Sequence, residues 1–256
     1  AATQWSAADS RDAARTYNPV AVSALDAGRS RYRVATLVRA LGYRTPRIIV
    51  RQPDAIAATL RLIDAAPVAT LRAMLIVRTL HHYAEVLPAD ARAADFAFYG
   101  HVIDGVDTPE PRWRRAIAFV LDAVPDEVSK IYVARHFAPA TRTAAEAMVR
   151  NLVAAFSHRI DALDWMTPET KSRAHRKLAA FHAQIGYPDR WHDYADLTMR
   201  DGDAFGNAMR AAEFRHDWEA AKIGRTIYRW EWSATPMTVD AFANYPKVAI
   251  TFPAAI

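Results

Sequence analysis

The sequence predicts a mainly α-helical protein that turns to β structure near its C-terminal end. Apolar residues recur at helical spacing through roughly the first 220 residues. Several of the predicted helices begin with a hydroxyl residue or a proline, which are common at helix starts. Lys247 to Phe252, a run ended by Pro253, has the pattern of a strand. The composition, 52% hydrophobic and 24% charged, is that of an ordinary globular protein.

The first part of the chain alternates helical patterns with polar breaks. Tyr32 to Leu41 has a period close to 3.6 residues and is stopped by Gly42. The β-branched run Arg47 to Val50 predicts a brief strand. Asp54 to Ile63 and Pro67 to Leu87 are predicted helices, and an aromatic cluster, Asp95 to Gly100, ends the next helical stretch.

Later helix starts are marked by capping patterns. Thr108-Pro109-Glu110 and Thr167-Pro168-Glu169 each combine a hydroxyl N-cap, a proline at the first helical position and an early acid. Thr143 to Glu146 fits a capping box. The helices that start there are expected to end near Ala123, Leu163 and Phe181, and an acidic loop then precedes a helix over Ala204 to Ile223.

Bulk properties exclude several classes of function. The net charge is +5, but the basic residues are scattered, which disfavours a nucleic-acid footprint. No cysteine is present, so the chain has no disulfide, thiolate metal site or cysteine nucleophile. No apolar run reaches the roughly 18 residues of a membrane span. The opening AATQWSAADSRD lacks the features of a signal peptide, so either the mature chain begins there or an upstream part is missing.

Motifs for catalysis are missing from the sequence. A helical HExxH, which would hold zinc and supply a general base, does not occur, nor does a GxSxG elbow or a glycine-rich phosphate loop. His82 with Glu85 and His216 with Glu219 have i, i+3 spacing, which fits surface hydrogen bonds better than a metal site. His175 and His182 are expected to form a solvated stripe on one helix face. By pattern alone, the chain is not a self-sufficient catalyst.

Strings spread along the whole chain resemble the non-catalytic half of the neprilysin family of zinc metallopeptidases. The last three of these strings together are the most specific. In order they are RDAARTYNPV (11–20), IIVRQPD (48–54), FAFYGHVIDGV (96–106), PRWRRAIAFV (111–120), IYVARHF (131–137), ALDWMTPETKSRAHRKLAAF (162–181), IGYPDRWHDY (185–194) and TPMTVDAFANYPKVAITFPAAI (235–256).

This resemblance implies a fold and a cofactor. In the family a helical lobe caps a thermolysin-like lobe, and the enclosed cavity admits only short peptides. The zinc motif lies downstream of the FPAAI-type string. The chain is therefore expected to hold a multi-helical cap over residues 1–225 and the start of the catalytic domain over residues 226–256. Zinc is expected in the intact parent, bound to the C-terminal lobe that is missing here, and no metal is expected on this chain.

The resemblance also implies substrate contacts. The family strand reads Asn-Ala-aromatic, and its Asn and Ala bind the peptide backbone; the matching residues are Asp240, Ala241 and Phe242. Ile256 matches a residue lining the pocket for the side chain after the cleaved bond. Asp240 departs from the family, because an ionised carboxylate only accepts hydrogen bonds whereas an amide also donates.

Two functions follow as hypotheses. In the first, the chain is part of a secreted or periplasmic zinc endopeptidase that acts on short peptides, and the chain alone is expected to be inactive. The second is a catalytically inactive helical peptide-binding or scaffold protein derived from the same family. An HExxH soon after residue 256 would favour the first.

Overall fold

The computed structural model describes residues 4–27 and 30–256, and it confirms a mainly helical chain with few short strands. The chain forms two compact units. One contains the residues up to Pro109 together with Met199–Thr226, and the other contains Glu110–Thr198 together with Ile227–Ile256. No helix in the described part of the chain is long and apolar enough to cross a membrane.

The described helices, in chain order, are α1 (Ala7–Arg11), α2 (Val34–Ala40), α3 (Pro53–Ala65), α4 (Val68–His82), α5 (Ala89–Asp95), α6 (Arg112–Ala123), α7 (Pro125–His136), α8 (Pro139–Ala162), α9 (Pro168–Ala179) and α10 (Ala204–Ala221). The strands are β1 (Pro19–Ala21), β2 (Arg47–Ile49), β3 (His182–Gly186), β4 (Phe242–Asn244) and β5 (Ala249–Pro253). Strands β1 and β2 pair antiparallel in the first unit, which confirms the predicted brief strand near Arg47.

Proline starts four of these helices, and one predicted cap is confirmed. Helices α3, α7, α8 and α9 each carry proline in the first turn, where a missing N–H costs nothing. At α9 the hydroxyl of Thr167 accepts a hydrogen bond from the amide of Thr170 at 3.2 Å. The sequence therefore predicted the start of α9 to the residue.

Two other predicted starts are wrong. Helix α6 begins at Arg112 rather than after Thr108, because Pro111 keeps Glu110 out of the helical region and supplies its own carbonyl to the first turn. Helix α8 begins at Pro139, so Thr143 lies inside it and donates its hydroxyl to the carbonyl of Pro139 at 3.1 Å. Glu146 pairs with Arg142 instead of completing a capping box.

The aromatic cluster forms a π-helical segment over Phe96–Ile103, which periodicity did not predict. Gly100 is required there, because a Cβ at this position would lie 2.5 Å from the ring of Phe96. The segment presents Tyr99 against His81, with the two rings stacked at 3.6 Å.

A three-stranded sheet in the second unit has the order β3-β5-β4. Strand β3 pairs parallel with β5, from His182 beside Ala249 to Gly186 beside Pro253. The helix predicted to end near Phe181 ends at Ala179, and His182 was predicted to share a helical stripe with His175. That stripe is wrong because His182 begins a strand.

Thr167, a helix cap, and Thr143, inside a helix, provide a matched test. Thr167→Ala removes an N-cap and is expected to lower the free energy of unfolding by about 1 kcal/mol. Thr143→Ala removes a hydroxyl from a helix interior and is expected to change it by less than about 0.5 kcal/mol. Urea titration followed by circular dichroism measures both. Equal losses would contradict the assigned start of α8.

Candidate functional site

The residues predicted to bind substrate lie within or beside the β4–β5 hairpin. Phe242 lies opposite Thr251 and Asn244 lies opposite Ala249, with residues 245–248 forming the turn. In the sheet described, β4 has β5 as its single neighbour, so its other side is an edge. Such an edge offers main-chain groups to another extended chain.

Asp240 and Ala241 lie just before this edge strand and are exposed. One carboxylate oxygen of Asp240 accepts a hydrogen bond from the amide of Ala241 at 2.7 Å. Phe242 is half-buried and begins β4. The Asp240 side chain is thus turned to its own backbone, and its carboxylate places a negative charge at the end of the edge.

Ile256 lies at the same end of the hairpin. The antiparallel register sets the residues before Phe242 beside those after Thr251, and Ile256 follows the last residue of β5 by three positions. Its side chain is 62% exposed. The preceding residue, Ala255, donates its amide to the carbonyl of Pro236 at 3.0 Å, which anchors the end of this segment.

Buried polar contacts hold the hairpin on β3. The hydroxyl of Thr251, which is 2% exposed, donates to the side-chain oxygen of Gln184 at 2.5 Å. The amide nitrogen of Gln184 in turn donates to the carbonyl of Arg229 at 3.0 Å. Strand β3 therefore fixes both the hairpin and the segment that leads to it.

A lysine in the hairpin turn makes a second set of contacts. The ammonium group of Lys247 donates to the carbonyls of Tyr228 and Glu231, at 3.2 and 3.1 Å. The guanidinium of Arg229 donates to the carbonyl of Lys247 at 3.0 Å. A side chain of the turn thus donates hydrogen bonds to carbonyls of the segment 228–231, and a side chain of that segment donates one to a carbonyl of the turn.

Sequence reasoning missed a partly buried cluster formed by Asp126, His192 and Glu231. The ring nitrogens of His192 lie 2.6 Å from a carboxylate oxygen of Asp126 and 3.2 Å from one of Glu231. The hydrogen bond to Asp126 raises the pKa of His192 above its ordinary 6.5, although burial acts in the opposite direction. The three residues are far apart in the sequence and have no common periodicity, so no sequence signal could have found them.

The histidines do not fit a zinc site. Across residues 4–27 and 30–256 no group of three or more His, Asp and Glu residues is arranged to hold a metal ion. Both nitrogens of His192 face carboxylates, so neither has a lone pair directed at a metal. His81 lies 2.7 Å from Asp95, and His216 binds the carbonyl of Leu41 at 2.8 Å rather than Glu219, which pairs with Lys222.

The Thr251–Gln184 bond gives a prediction about the hairpin. Thr251→Val keeps the shape but leaves the buried oxygen of Gln184 without its donor, which is expected to cost about 1–3 kcal/mol of unfolding free energy. Thr251→Ser retains the hydroxyl and serves as the control, with a smaller loss. Denaturant unfolding measures both, and a fully stable Thr251→Val would show that this bond does not hold the sheet.

Comparison with known proteins gives consistent matches. Neutral endopeptidase of Lactobacillus helveticus is 25% identical over 256 residues, which are 99% of this chain and 39% of that protein. Human neprilysin is 28% identical over 160 residues, which cover 59% of this chain and 21% of neprilysin. A crystal structure of Mycobacterium tuberculosis zinc metalloprotease Zmp1 with an inhibitor superposes with a TM-score of 0.88 at 35% identity, covering 99% of this chain and 39% of that one.

A more distant structure, PepO of Lactobacillus rhamnosis, shares the fold with a TM-score of 0.82 at 21% identity, over 95% of this chain and 39% of that chain. The chain spans about two fifths of the length of relatives that match it throughout. The family model described as peptidase family M13 matches residues 1–188. The neprilysin-type resemblance is thereby confirmed, and this chain belongs to peptidase family M13.

Proposed function

We propose that this chain is the cap and one substrate-binding strand of a zinc-dependent endopeptidase that cleaves short peptides. The exposed edge of β4, with Asp240 and Ala241 at its start, is the observation that carries the proposal. Family membership supports it, since related proteins carry the names neutral endopeptidase and zinc metalloprotease. The zinc and its ligands belong to the rest of the parent enzyme.

The proposed role of the edge strand is to align the peptide. An extended peptide beside β4 would form main-chain hydrogen bonds, and its alternate side chains would point into pockets. Ala241 is small, so it leaves room for the peptide backbone to approach. Ile256, exposed at the same end of the hairpin, supplies apolar surface for the side chain that follows the cleaved bond.

Asp240 modifies this role. A peptide backbone presents both N–H and C=O groups, and the ionised carboxylate can bind only the N–H. One Asp240 oxygen already accepts from Ala241, which leaves the second oxygen to face substrate. We infer weaker binding than an amide would provide, by about 1–3 kcal/mol, and discrimination against peptides with an acidic group nearby.

The total accessible surface of the chain supports a large packing partner. The chain exposes 18112 Å² for 28.6 kDa. Two separate compact domains of half this mass would together expose roughly 13,600 Å². The excess, about 4,500 Å² on this chain alone, exceeds the roughly 1,000–2,500 Å² that one partner contributes to a typical obligate interface. We propose that the C-terminal catalytic lobe covers it.

Two apolar faces are the proposed contacts with that lobe. On α4, large side chains including Leu75, Ile76 and Val77 are half exposed or more. In the second unit a groove of about 630 Å³ lies between α8, α9 and β5, and Phe156, Leu178 and Phe252 are among its lining residues. Patches of this kind on a chain mark a protein–protein contact.

The proposed division assigns residues 1–225 to the cap and residues 226–256 to the start of the catalytic domain. The sheet draws on both parts, because β3 lies within residues 1–225 and pairs with β5. In this proposal the edge strand of the catalytic domain is built on a strand from the cap segment. The parent is proposed to act outside the cytoplasm, an inference from the family resemblance alone that cell fractionation of the parent tests.

A second candidate function is a catalytically inactive peptide-binding or scaffold protein. Asp240 in place of the family amide favours it, since this substitution weakens a contact that catalysis would use. The two functions differ in their response to reversal of that substitution, because a binder has no turnover to regain.

The central test is Asp240→Asn in the parent protein. Restoring the amide donor is expected to raise kcat/KM on short peptides roughly tenfold, as one hydrogen bond would. Asp196→Asn removes the same charge from an exposed loop position and is expected to leave kcat/KM unchanged. Unchanged kinetics in Asp240→Asn would contradict the substrate role, and absence of any turnover in both would favour the inactive binder.

The groove provides a separate test on this chain alone. The isolated chain is expected to bind the dye ANS and to self-associate, because its apolar faces are exposed. Phe156→Ser removes one large aromatic side chain from the groove. It is expected to lower the fluorescence of bound ANS, with little loss of helix content. Met199→Ser, at an exposed position outside the groove, is the control. If the unmodified chain and both variants bind the dye equally, the groove is not part of the proposed interface.

A further inference from the structure

His192 lies between two carboxylates that belong to different parts of the second unit. Asp126 is in the first turn of α7 and accepts hydrogen bonds from both the ring nitrogen and the backbone amide of His192, at 2.6 and 2.7 Å. Glu231 belongs to the segment that leads to β4, and its oxygen lies 3.2 Å from the other ring nitrogen. All three side chains are about 20% exposed or less.

This geometry requires a charged imidazole. Ionised carboxylates are acceptors only, so each ring nitrogen must donate a proton for both contacts to be favourable. The hydrogen bond to Asp126, which raises the pKa of His192, acts in the same direction. Other charged groups nearby are Arg190, whose guanidinium lies over the ring of Trp230 at 4.8 Å, and Asp193 on the same loop. The phenol Tyr194 lies with its ring 6.4 Å from that of His192.

Glu231 connects this histidine to the hairpin turn. Its side chain contacts His192, while its carbonyl accepts from the ammonium group of Lys247 at 3.1 Å. Lys247 lies in the turn between β4 and β5, and its amide donates to the side chain of Asn244, the last residue of β4. Three contacts therefore connect His192 to the edge strand. They join His192 to Glu231, Glu231 to Lys247, and Lys247 to Asn244.

We propose that the His192 cation is a pH-dependent clamp that holds the segment 228–231 and, through Lys247, the edge strand β4. When His192 loses its proton, the lone pair of its outer nitrogen faces the carboxylate of Glu231, and this longer of the two contacts breaks. The segment then loosens, and β4 loses its fixed position. His192 is thus a positioning residue; that β4 binds substrate rests on the proposed function, whereas the clamp does not.

The direction of the pH effect follows from the raised pKa. A histidine whose pKa is higher in the folded protein stabilises it fully below about pH 6.5, the value of an unfolded histidine. That stability is lost as the pH rises through the higher pKa of the folded state. The edge strand should therefore be firmest in mildly acidic solution and loosen toward alkaline pH.

The test is hydrogen exchange of the β4 amides in this chain, followed by NMR and corrected for intrinsic rates. Between about pH 6 and about pH 8.5 the protection of Phe242 and Asn244, whose amides face β5 in the antiparallel ladder, is expected to fall about tenfold in the unmodified chain. In His192→Arg, a permanent cation, protection should stay high across this range. In His192→Gln, which is never charged, it should be low and independent of pH.

Two further variants separate the clamp from general effects. His158→Gln alters an exposed histidine of α8 and should leave the pH dependence intact. Lys247→Met keeps the contacts of His192 but removes the link to Glu231, so His192 should still titrate above its ordinary pKa while β4 no longer follows it.

Each outcome decides the matter. A β4 that loosens equally in His192→Arg and the unmodified chain, or one that never loosens, would overturn the clamp. Loosening that persists in Lys247→Met would overturn the route through the turn. If the clamp holds in these experiments but KM for short peptides in the active parent does not rise with pH, the substrate role of β4 fails and the clamp stands.

Discussion

Parallel pairing of β3 with β5 is the constraint on which the rest of the second unit depends. The chain leaves this unit after Thr198, contributes Met199–Thr226 to the first unit, and returns at Ile227. Strand β5 then pairs with β3 across a separation of 67 residues. Closing so long an excursion costs conformational entropy that local contacts cannot offset. The buried bond from Thr251 to Gln184, and the burial of Pro253 and Gly186 at the end of the ladder, supply the compensating contacts.

The position of the hairpin follows from that pairing. Once β5 lies along β3, the turn residue Lys247 meets the carbonyls of Tyr228 and Glu231, and β4 becomes the outer strand. Gly186 ends β3 with a positive φ, and a side chain there would collide with Phe137 at 2.4 Å. A glycine far from the hairpin in sequence is thus required for the sheet that supports it.

The buried residues of the chain are unusually small. The buried apolar residues described are mostly alanines, such as Ala35, Ala58 and Ala211, whereas large side chains on α4 and α8 are exposed. Alanine burial brings helix backbones close together but removes little apolar area from water. When a chain buries its small residues and exposes its large ones, the large apolar side chains are available to pack against another body. This pattern supports the proposal that a further lobe of the parent protein covers these faces.

Local sequence determined much of the helical structure. Thr167 and Pro168 specify the start of α9 because a hydroxyl cap and a proline act on their own turn. At Thr143 the same reasoning failed, since Pro139 four residues earlier had already begun the helix. The neprilysin-type strings identified the family. The prediction that the histidines of this chain bind no zinc rested only on the lack of a zinc-binding motif.

Tertiary structure decided the features that join distant residues. The pairing of His182–Gly186 with Ala249–Pro253 could not be read from either segment, because a five-residue strand has no signal that names its partner. Likewise, His192 carries no motif, and its two carboxylates come from elements 66 and 39 residues away. The sequence by itself thus determined the helical class and the family, and it predicted the substrate-binding residues next to the edge strand. Only the folded chain decided that Asp240 lies just before an outer strand and that a charged histidine is linked to that strand, because long-range contacts depend on which elements pack together.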